Sequence, residues 1–383
     1  MQNNNNYNDF PTFDIESPKS TVLYIDANNL FYRAYHAANR NGEEGNKGLV
    51  LHSLTSMIYR IKTQIPHRFA YAVFDGETSR DSRLELYPEY KANRESKNEL
   101  AEYKNDMEEL LKILNITSYT TSTIEADDVI GILGIKSAIE KKNDVIILTS
   151  DKDYKQLCAI SDKIHLFNSM SNTLTNNLNF EEINDGLKSE QVIDFLSLMG
   201  DVSDNIPGVP KVGKVTALKL LKEHGSIEGI KKNIESMKDG VVKNNLIEHI
   251  NNGSLDRNYD CIEMHLDRFD CIDFDFLRKN TIDNFKNEII VKDLADFLKK
   301  HSLNNFLNKN IQPIIDMNYT TIRINYDSEP VQNNVNNDDL KKNYEPRATI
   351  KPTEKPINSN AVNAYRKAKM GWLNIWHNIS NNN

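Results

Sequence analysis

Three short apolar runs, each leading into a carboxylate, organise the first half of the chain. Thr21-Val-Leu-Tyr-Ile25 stops at Asp26, Phe69-Ala-Tyr-Ala-Val-Phe74 stops at Asp75, and Asp144-Val-Ile-Ile-Leu-Thr149 leads into Ser150-Asp151. They are apolar throughout rather than alternating, which predicts strands covered on both faces, as in a parallel sheet. Between them, Leu49 to Ile61, Met107 to Leu114 and Val129 to Ile139 repeat apolar residues at helical spacing. Strand alternating with helix predicts an α/β fold with a central, mainly parallel sheet flanked by helices. Ligands of such sheets gather at the carboxyl ends of the strands, and all three runs end there in aspartate.

From about Glu190 the pattern turns helical, with Val192-Ile193, Phe195-Leu196 and Leu198-Met199 recurring on one face. Ile206-Pro-Gly-Val-Pro-Lys-Val-Gly-Lys-Val-Thr216 reads as a tight Gly/Pro turn opening a further helix, Ala217 to Lys222. Helical material such as Val291 to Leu298 continues to about Leu307. Both ends are different. Residues 1–19 are Asn-rich and polar, and beyond 320 the chain is rich in Asn, Pro and Lys, so 1–19 and about 326–360 are expected to be disordered. No internal repeat is present.

Composition narrows the class. At 383 residues, 39% hydrophobic and 27% charged, the chain suits a soluble globular protein of two or three units. A mean hydropathy of -0.60 reflects its polar ends. No apolar run approaches the ~18 residues of a membrane span. MQNNNNYNDF lacks the basic and apolar regions of a signal peptide, so none is expected. Cys158, Cys261 and Cys271 are too few and too scattered for a disulfide framework or zinc site. That suits a reducing, cytoplasmic setting (host cytoplasm if the source is viral). The net charge of -8 argues against a generic nucleic-acid binder unless the acid is gathered for another purpose.

It is gathered. Glu125-Ala-Asp127-Asp128, Asp151-Lys-Asp153 and Asp201-Val-Ser-Asp204 hold seven carboxylates, and Asp26 and Asp75 make nine. An aspartate after a strand can be merely a helix cap, and acids in a first turn complement the helix dipole. One sheet edge would nevertheless collect all nine, and they cannot all stay ionised without counter-charge. Hard divalent cations answer that need, and Mg²⁺ or Mn²⁺ suit an all-oxygen shell. Two or more such ions activate water and stabilise the leaving oxygen of a phosphodiester. On a helix, Asp201 and Asp204 would share one face.

Basic residues follow the same strands. In Tyr87-Pro-Glu-Tyr90-Lys91-Ala-Asn-Arg94, Lys91 and Arg94 would face one way on a helix and hold a phosphate. Spacing alone also suits an ordinary surface pair. Tyr90 offers an aromatic face for an unpaired base. Arg33, close behind the Asp26 strand, could reach the same phosphate, while Phe31 and Tyr35 are expected in the core. The turn Gly208-Val-Pro-Lys-Val-Gly213 has the shape of a helix-hairpin-helix. Its glycines would let backbone approach phosphate, with Lys211 and Lys214 adding charge without base preference.

These residues together resemble the 5′-nuclease family: phage flap endonucleases and the 5′→3′ exonuclease domain of bacterial DNA polymerase I. The motifs that carry the resemblance are Tyr24-Ile-Asp26-Ala-Asn, Val73-Phe-Asp75-Gly, Tyr90-Lys91-Ala-Asn-Arg94 and Ile124-Glu-Ala-Asp-Asp128-Val-Ile-Gly. Thr149-Ser-Asp-Lys-Asp153-Tyr and Gly200-Asp-Val-Ser-Asp-Asn-Ile-Pro-Gly-Val-Pro-Lys-Val-Gly213 complete the set. The resemblance spans residues 21–310 and is strongest over 21–225. It implies a PIN-like 5′-nuclease fold with one metal group at Asp26, Asp75, Glu125, Asp127 and Asp128, and another at Asp151, Asp153, Asp201 and Asp204. It also implies a helical arch over about 80–115 with Tyr90, Lys91 and Arg94 at its base. The hairpin would grip duplex DNA through Gly208, Lys211, Gly213 and Lys214, with K⁺ bound there.

The expected organisation is an α/β nuclease core over 20–188, then a helical subdomain over 189–310 with its hairpin motif at 206–222. The expected activity is structure-specific 5′ nuclease action on DNA flaps, nicks and RNA-primer ends, by a stand-alone monomer rather than a polymerase fragment. Rival readings are a non-catalytic DNA-junction-binding relative and a PIN-type single-strand RNase. The smaller RNase family lacks the hairpin and the Tyr-Lys-x-x-Arg segment. Residues 326–383 form a basic tail. From 341 to 383 it carries eight Lys or Arg against two Glu, with Trp372 and Trp376 inside 365–379. That tail could hold single-stranded DNA, dock on a replication protein, or fold its tryptophans back onto the core.

Overall fold

The computed structural model describes residues 15, 17–39, 46–94 and 99–323. The expectations for most of the N-terminal extension, for the tail at 326–383 and for its 365–379 segment therefore lie outside the described residues.

A six-stranded sheet is ordered β3-β2-β1-β4-β5-β6. Its strands are β1 (Thr21–Asp26), β2 (Phe69–Phe74), β3 (Thr117–Thr120), β4 (Asp144–Leu148), β5 (Ile164–Asn168) and β6 (Thr173–Thr175). All neighbours pair in parallel except β5 and β6. Every residue of β1 and β4 is buried, which is why both read as unbroken apolar runs. β3, β5 and β6 were not among the expected strands. β3 and β6 are short and half-polar (Thr117-Ser-Tyr-Thr and Thr173-Leu-Thr), with β3 at one edge and β6 at the other.

Helices cover both faces: α1 (Ala27–Ala38), α2 (Lys47–Gln64), α3 (Asp81–Leu86), α4 (Glu99–Ile113) and α5 (Ala126–Ile135). After a short α6 (Phe180–Ile183) come α7 (Val192–Met199), α8 (Lys214–His224), α9 (Ile227–Asn233), α10 (Val241–Asn251), α11 (Ser254–Ile262) and α12 (Phe274–Asn280). A two-residue ladder of β7 (Gly200–Asp201) and β8 (Ile206–Pro207) lies between α7 and α8. The chain closes with β9 (Ile289–Ile290), α13 (Val291–Lys300), α14 (Asn304–Phe306), α15 (Gln312–Asp316) and β10 (Thr321–Ile322), the last strand pairing with β9.

Two apolar cores result. One joins α5 and one sheet face to α7–α12, so the helical region shares its core with the sheet. The other packs α1, α2 and α4 against the opposite face and includes α13 and the residues after it. The helices of 189–310 are thus divided between the two faces. No helix among the described residues is long and apolar enough to cross a membrane. The three cysteines are free.

Candidate active site

The strand order reverses at β1, with β2 on one side and β4 on the other, and ligands of open α/β sheets bind at such a switch point. Asp26 pairs with Val73 and Ile25 with Leu148, which sets the ends of the three strands level. The result is a cleft of about 1530 Å³ lined by Asp26, Asp75, Glu125, Asp127 and Asp151 together with Arg33, Lys91 and Arg94.

Each strand-end aspartate also does local work. Asp26 is the N-cap of α1, accepting from the Asn29 N–H at 2.9 Å, and its other oxygen accepts from the Tyr154 hydroxyl at 3.3 Å. Asp75 accepts from the Ala126 N–H at the start of α5, 2.8 Å, and from the Asn28 amide, 2.9 Å. Capping and cleft-lining are therefore compatible. Burial, with the neighbouring Asp75 and Asp151 charges against it, pushes the Asp26 carboxyl from 3.8 up to about 7.

Asp153, Asp201 and Asp204 meet in one buried group whose ligand oxygens lie within 4.8 Å of one another. They come together through a turn and not along a helix face: Asp201 ends β7, and the Asp204 N–H returns to the Asp201 carbonyl at 3.3 Å. Asp153 Oδ1 and Asp201 Oδ2 are buried and find no hydrogen-bond partner. Burial and the facing charges of Asp151, Asp204 and Asp201 push Asp153 well above the usual carboxylate range. Despite its burial, Asp201 is held low by Lys152, 2.7 Å away, and by Ser203. A compact oxygen-only set with two orphaned carboxylate oxygens fits a hard divalent cation.

Glu125 and Asp128 are served by cations of the chain itself. Arg83, 2% exposed, donates to Glu125 at 2.8 Å and forks onto both oxygens of Asp128 at 2.8 and 3.0 Å. Lys91 Nζ donates to the other Glu125 oxygen, and Lys91 with Arg83 draws Glu125 down to about 2 against the effect of burial. Asp128 departs from the expected metal set. It is fully buried, both oxygens face Arg83, and Oδ1 also takes the His265 N–H at 2.8 Å. Asp127 and Asp128 are consecutive in the first turn of α5, so their side chains diverge by about 100°. Asp127 alone lines the cleft.

The segment after α3 differs from a helix as well. Residues 88–93 form turns, and Lys91 has a φ of 54°, a left-handed conformation that no helix contains. Lys91 and Arg94 nevertheless converge on Asp204, at 3.7 and 2.7 Å. Tyr90 is not free for a base. It is 3% exposed, and its hydroxyl donates to Glu125 at 2.9 Å and to Asp204 at 3.1 Å. It packs in the core beneath the site, with Lys91 Nζ 4.8 Å from its ring centroid. Phe31 is buried, whereas Tyr35 is half-buried and lines the cleft. Arg33 projects from α1 into the cleft, with only the Met57 sulfur near one nitrogen and no partner for Nε.

In the hairpin, Gly208 answers an internal demand. A Cβ there would lie 2.1 Å from the Met199 carbonyl oxygen and 2.6 Å from the Gly200 nitrogen, so the glycine lets two strands of backbone touch. Gly213 is the one left open. It precedes α8 with nothing near its Cβ position and leaves the helix N-terminus accessible. Lys211 and Lys214 are exposed on the same turn, and Lys214 pairs with Asp185 across the surface.

Arg83, which no motif reading singled out, underlies the carboxylate group. Its one sequence signal is an arginine inside an otherwise ordinary short helix.

Metal-free stability should carry the imprint of the crowded acids. Below pH ~4 Asp26 is protonated in folded and unfolded chains alike, but between about 4 and about 7 only the folded chain keeps the proton. Asp194, pushed by burial to about 6, acts in the same direction. Unfolding free energy in EDTA should therefore fall by roughly 2 kcal/mol or more from pH 5 to pH 7.5. Urea titrations at the two pH values check this, and Mg²⁺ should recover part of the loss.

Two family models match consecutive stretches. "5'-3' exonuclease, N-terminal resolvase-like domain" covers residues 21–186, and "5'-3' exonuclease, C-terminal SAM fold" covers 187–283. A 5'-3' exonuclease of Buchnera aphidicola (strain APS) is 34% identical over 226 residues, which are 58% of this chain and 77% of that protein. DNA polymerase I of Streptococcus pneumoniae (strain R6) is 36% identical over 241 residues, 60% of this chain and 27% of the polymerase. Among solved structures, bacteriophage T5 D15 flap endonuclease, in a complex with DNA and metal ions, shares the fold. Its TM-score is 0.52 at 24% identity, over 68% of this chain and 96% of that one. With both models aligned end to end over the sheet, the cleft and the hairpin, the chain belongs to the 5'-3' exonuclease family.

Proposed function

We propose that the chain is a divalent-metal-dependent, structure-specific 5′ nuclease. It would hydrolyse DNA phosphodiesters near single-strand/duplex junctions, acting on flaps, nicks and RNA-primer ends. The observation that carries the reading is the buried Asp153–Asp201–Asp204 group with two unpartnered carboxylate oxygens, beside a cleft that also presents Arg33, Lys91 and Arg94. The fold shared with a T5 nuclease solved with DNA and metal ions supports it.

Asp151, Asp153, Asp201 and Asp204 would hold one Mg²⁺ or Mn²⁺, and Asp26, Asp75 and Asp127 another, with Glu125 reaching the second only if Lys91 releases it. Such ions, when bound, make a water nucleophilic at neutral pH and stabilise the leaving oxygen. The side chains do the rest. Arg33, which lines the cleft without an anionic partner among the described residues, would take a substrate phosphate. Arg94, about two-fifths exposed, can exchange Asp204 for phosphate as the site loads. Lys91 keeps Glu125 ionised and brings a buried positive charge to the scissile group. The open N-terminus of α8 with Lys211 and Lys214 would seat the downstream duplex backbone, where K⁺ completes the reading. Tail residues 326–383 would add single-stranded DNA or a replication protein as partners.

The test is a 5′-labelled flap duplex incubated with Mg²⁺ or EDTA. Junction cleavage in Mg²⁺ alone supports the reading, and tight binding without cleavage in either condition would point to a non-catalytic junction binder. In the same assay Lys91→Ala should slow cleavage by roughly 10²-fold or more, as when one preorganised electrostatic donor is lost. A near-normal rate would remove Lys91 from the site.

A further inference from the structure

One stretch of chain, residues 257–265, touches the hairpin, the base of the arch segment and both carboxylate groups. It begins in α11. Asn258 is fully buried, and its amide donates to the Pro207 carbonyl at 2.7 Å and to the Ser197 carbonyl at 3.2 Å. Pro207 ends β8, directly before Gly208 of the hairpin. Arg257 donates to the Asn258 side-chain oxygen at 3.1 Å and lies over the Tyr87 ring, 4.3 Å from its centroid, at the end of α3. Both N–H groups of the Asn258 amide are used, and its oxygen takes one further bond.

The other end of the stretch rests under the carboxylates. The Cys261 carbonyl accepts from Arg83 Nε at 3.0 Å, and that same Arg83 holds Glu125 and Asp128. The Met264 N–H donates to Gln156 Oε1 at 3.0 Å, and Gln156 Nε2 donates to the carbonyls of Ile262 and Asp153 at 3.2 and 2.9 Å. One group of carboxylates is therefore tied to this stretch through Arg83 and the other through Gln156, while the hairpin is tied to it through Asn258. Apart from those within the stretch and within the Asp153 turn, these hydrogen bonds join residues 42 to 178 apart in sequence.

We propose that α11 and its following loop act as the ruler between the duplex-seating hairpin and the reacting carboxylates, with Asn258 as the positioning residue that sets where on the strand the cut falls. A hairpin that holds duplex backbone and a site that cuts one phosphodiester must be a fixed distance apart, or the cut falls at varying positions. Two hydrogen bonds from one fully buried amide, at 2.7 and 3.2 Å, fix the hairpin end of that distance, and Arg83 and Gln156 fix the other. This inference rests on the nuclease reading above.

The experiment sizes the products of the 5′-labelled flap at single-nucleotide resolution for the wild-type chain, Asn258→Ala and Arg257→Ala, with KM, kcat, duplex affinity in EDTA and thermal midpoint measured in parallel. Asn258→Ala removes the side-chain donor from the buried Ser197 carbonyl and from the part-buried Pro207 carbonyl. It should raise KM and weaken duplex affinity by about tenfold with kcat changed less, and should spread the single major product over neighbouring lengths. Arg257→Ala, which frees only the Asn258 oxygen and the Tyr87 ring, should do the same more weakly. A lowered thermal midpoint with an unchanged product position and KM in Asn258→Ala would overturn the proposal. If that variant does not fold, a wild-type product pattern in Arg257→Ala overturns it. Failure of the wild-type chain to cut would sink the nuclease reading and the ruler with it; a wild-type chain that cuts at one position, with Asn258→Ala cutting at that same position and with the same KM, would overturn the ruler alone.

Discussion

Asp153→Asn should lower turnover on a flap by about 10³-fold while duplex affinity stays within about threefold, since the lost interaction is made in the transition state rather than in binding. The side chain keeps its shape, so packing in the 7%-exposed site is preserved and only the charge is removed. The same change should stabilise the chain without metal. Asp153 faces Asp151, Asp201 and Asp204 and is pushed far above its ordinary range by burial and their charges. Removing it relieves that repulsion, and the thermal midpoint in EDTA should rise by about 2–4 °C for about 1 kcal/mol gained. Loss of activity together with a lower midpoint would mean that Asp153 holds the fold instead of an ion. Asp201→Asn is the natural companion. Lys152 and Ser203 already hold Asp201, so its substitution should cost activity without the gain in midpoint.

Arg83→Met should cost about 3–5 kcal/mol of folding free energy, the usual penalty for stranding a buried charge. The arginine is 2% exposed and donates to two carboxylates that are 2% and 0% exposed, so water cannot replace it. The double change Arg83→Met with Asp128→Leu should recover much of that loss, because the stranded charge goes with it while Glu125 keeps Lys91 and Tyr90. Urea unfolding of the single and double variants settles the point. A single-variant loss below about 1 kcal/mol would show that the arginine contributes little net free energy. The double variant also probes Asp128: activity near wild type would confirm that it stands apart from the reacting groups.

These expectations separate what could be read along the chain from what could not. The strand ends were legible because a strand covered on both faces keeps carboxylates out of its middle: Asp26 closes β1, Asp75 follows β2 directly and Asp151 lies three residues beyond β4. The grouping of Asp153 with Asp201 and Asp204 was legible as composition but not as geometry. The spacing of 201 and 204 suggests a helix face, whereas a turn after β7 delivers both. Tyr90 shows the same limit. An aromatic beside Lys91 and Arg94 suits a base-stacking role, yet the ring is buried and its hydroxyl lies between Glu125 and Asp204. Gly208 reads as a phosphate cradle, and the structure shows it making room for Gly200.

By itself, then, the order of apolar runs and carboxylates determined the three central strands, the sheet edge that gathers the carboxylates and the family. Those depend on local periodicity and on which residues a buried strand can hold. Which of two neighbouring acids faces the cleft, which cation neutralises which acid, and which groups tie the hairpin to the carboxylates were decided only by the tertiary structure. Adjacent helical positions diverge by about 100°, and, the neighbouring Arg257 apart, the side-chain partners of Glu125, Asp128 and Asn258 lie 34 to 137 residues away along the chain. No local pattern encodes a contact at that separation, because it exists only once both cores have closed.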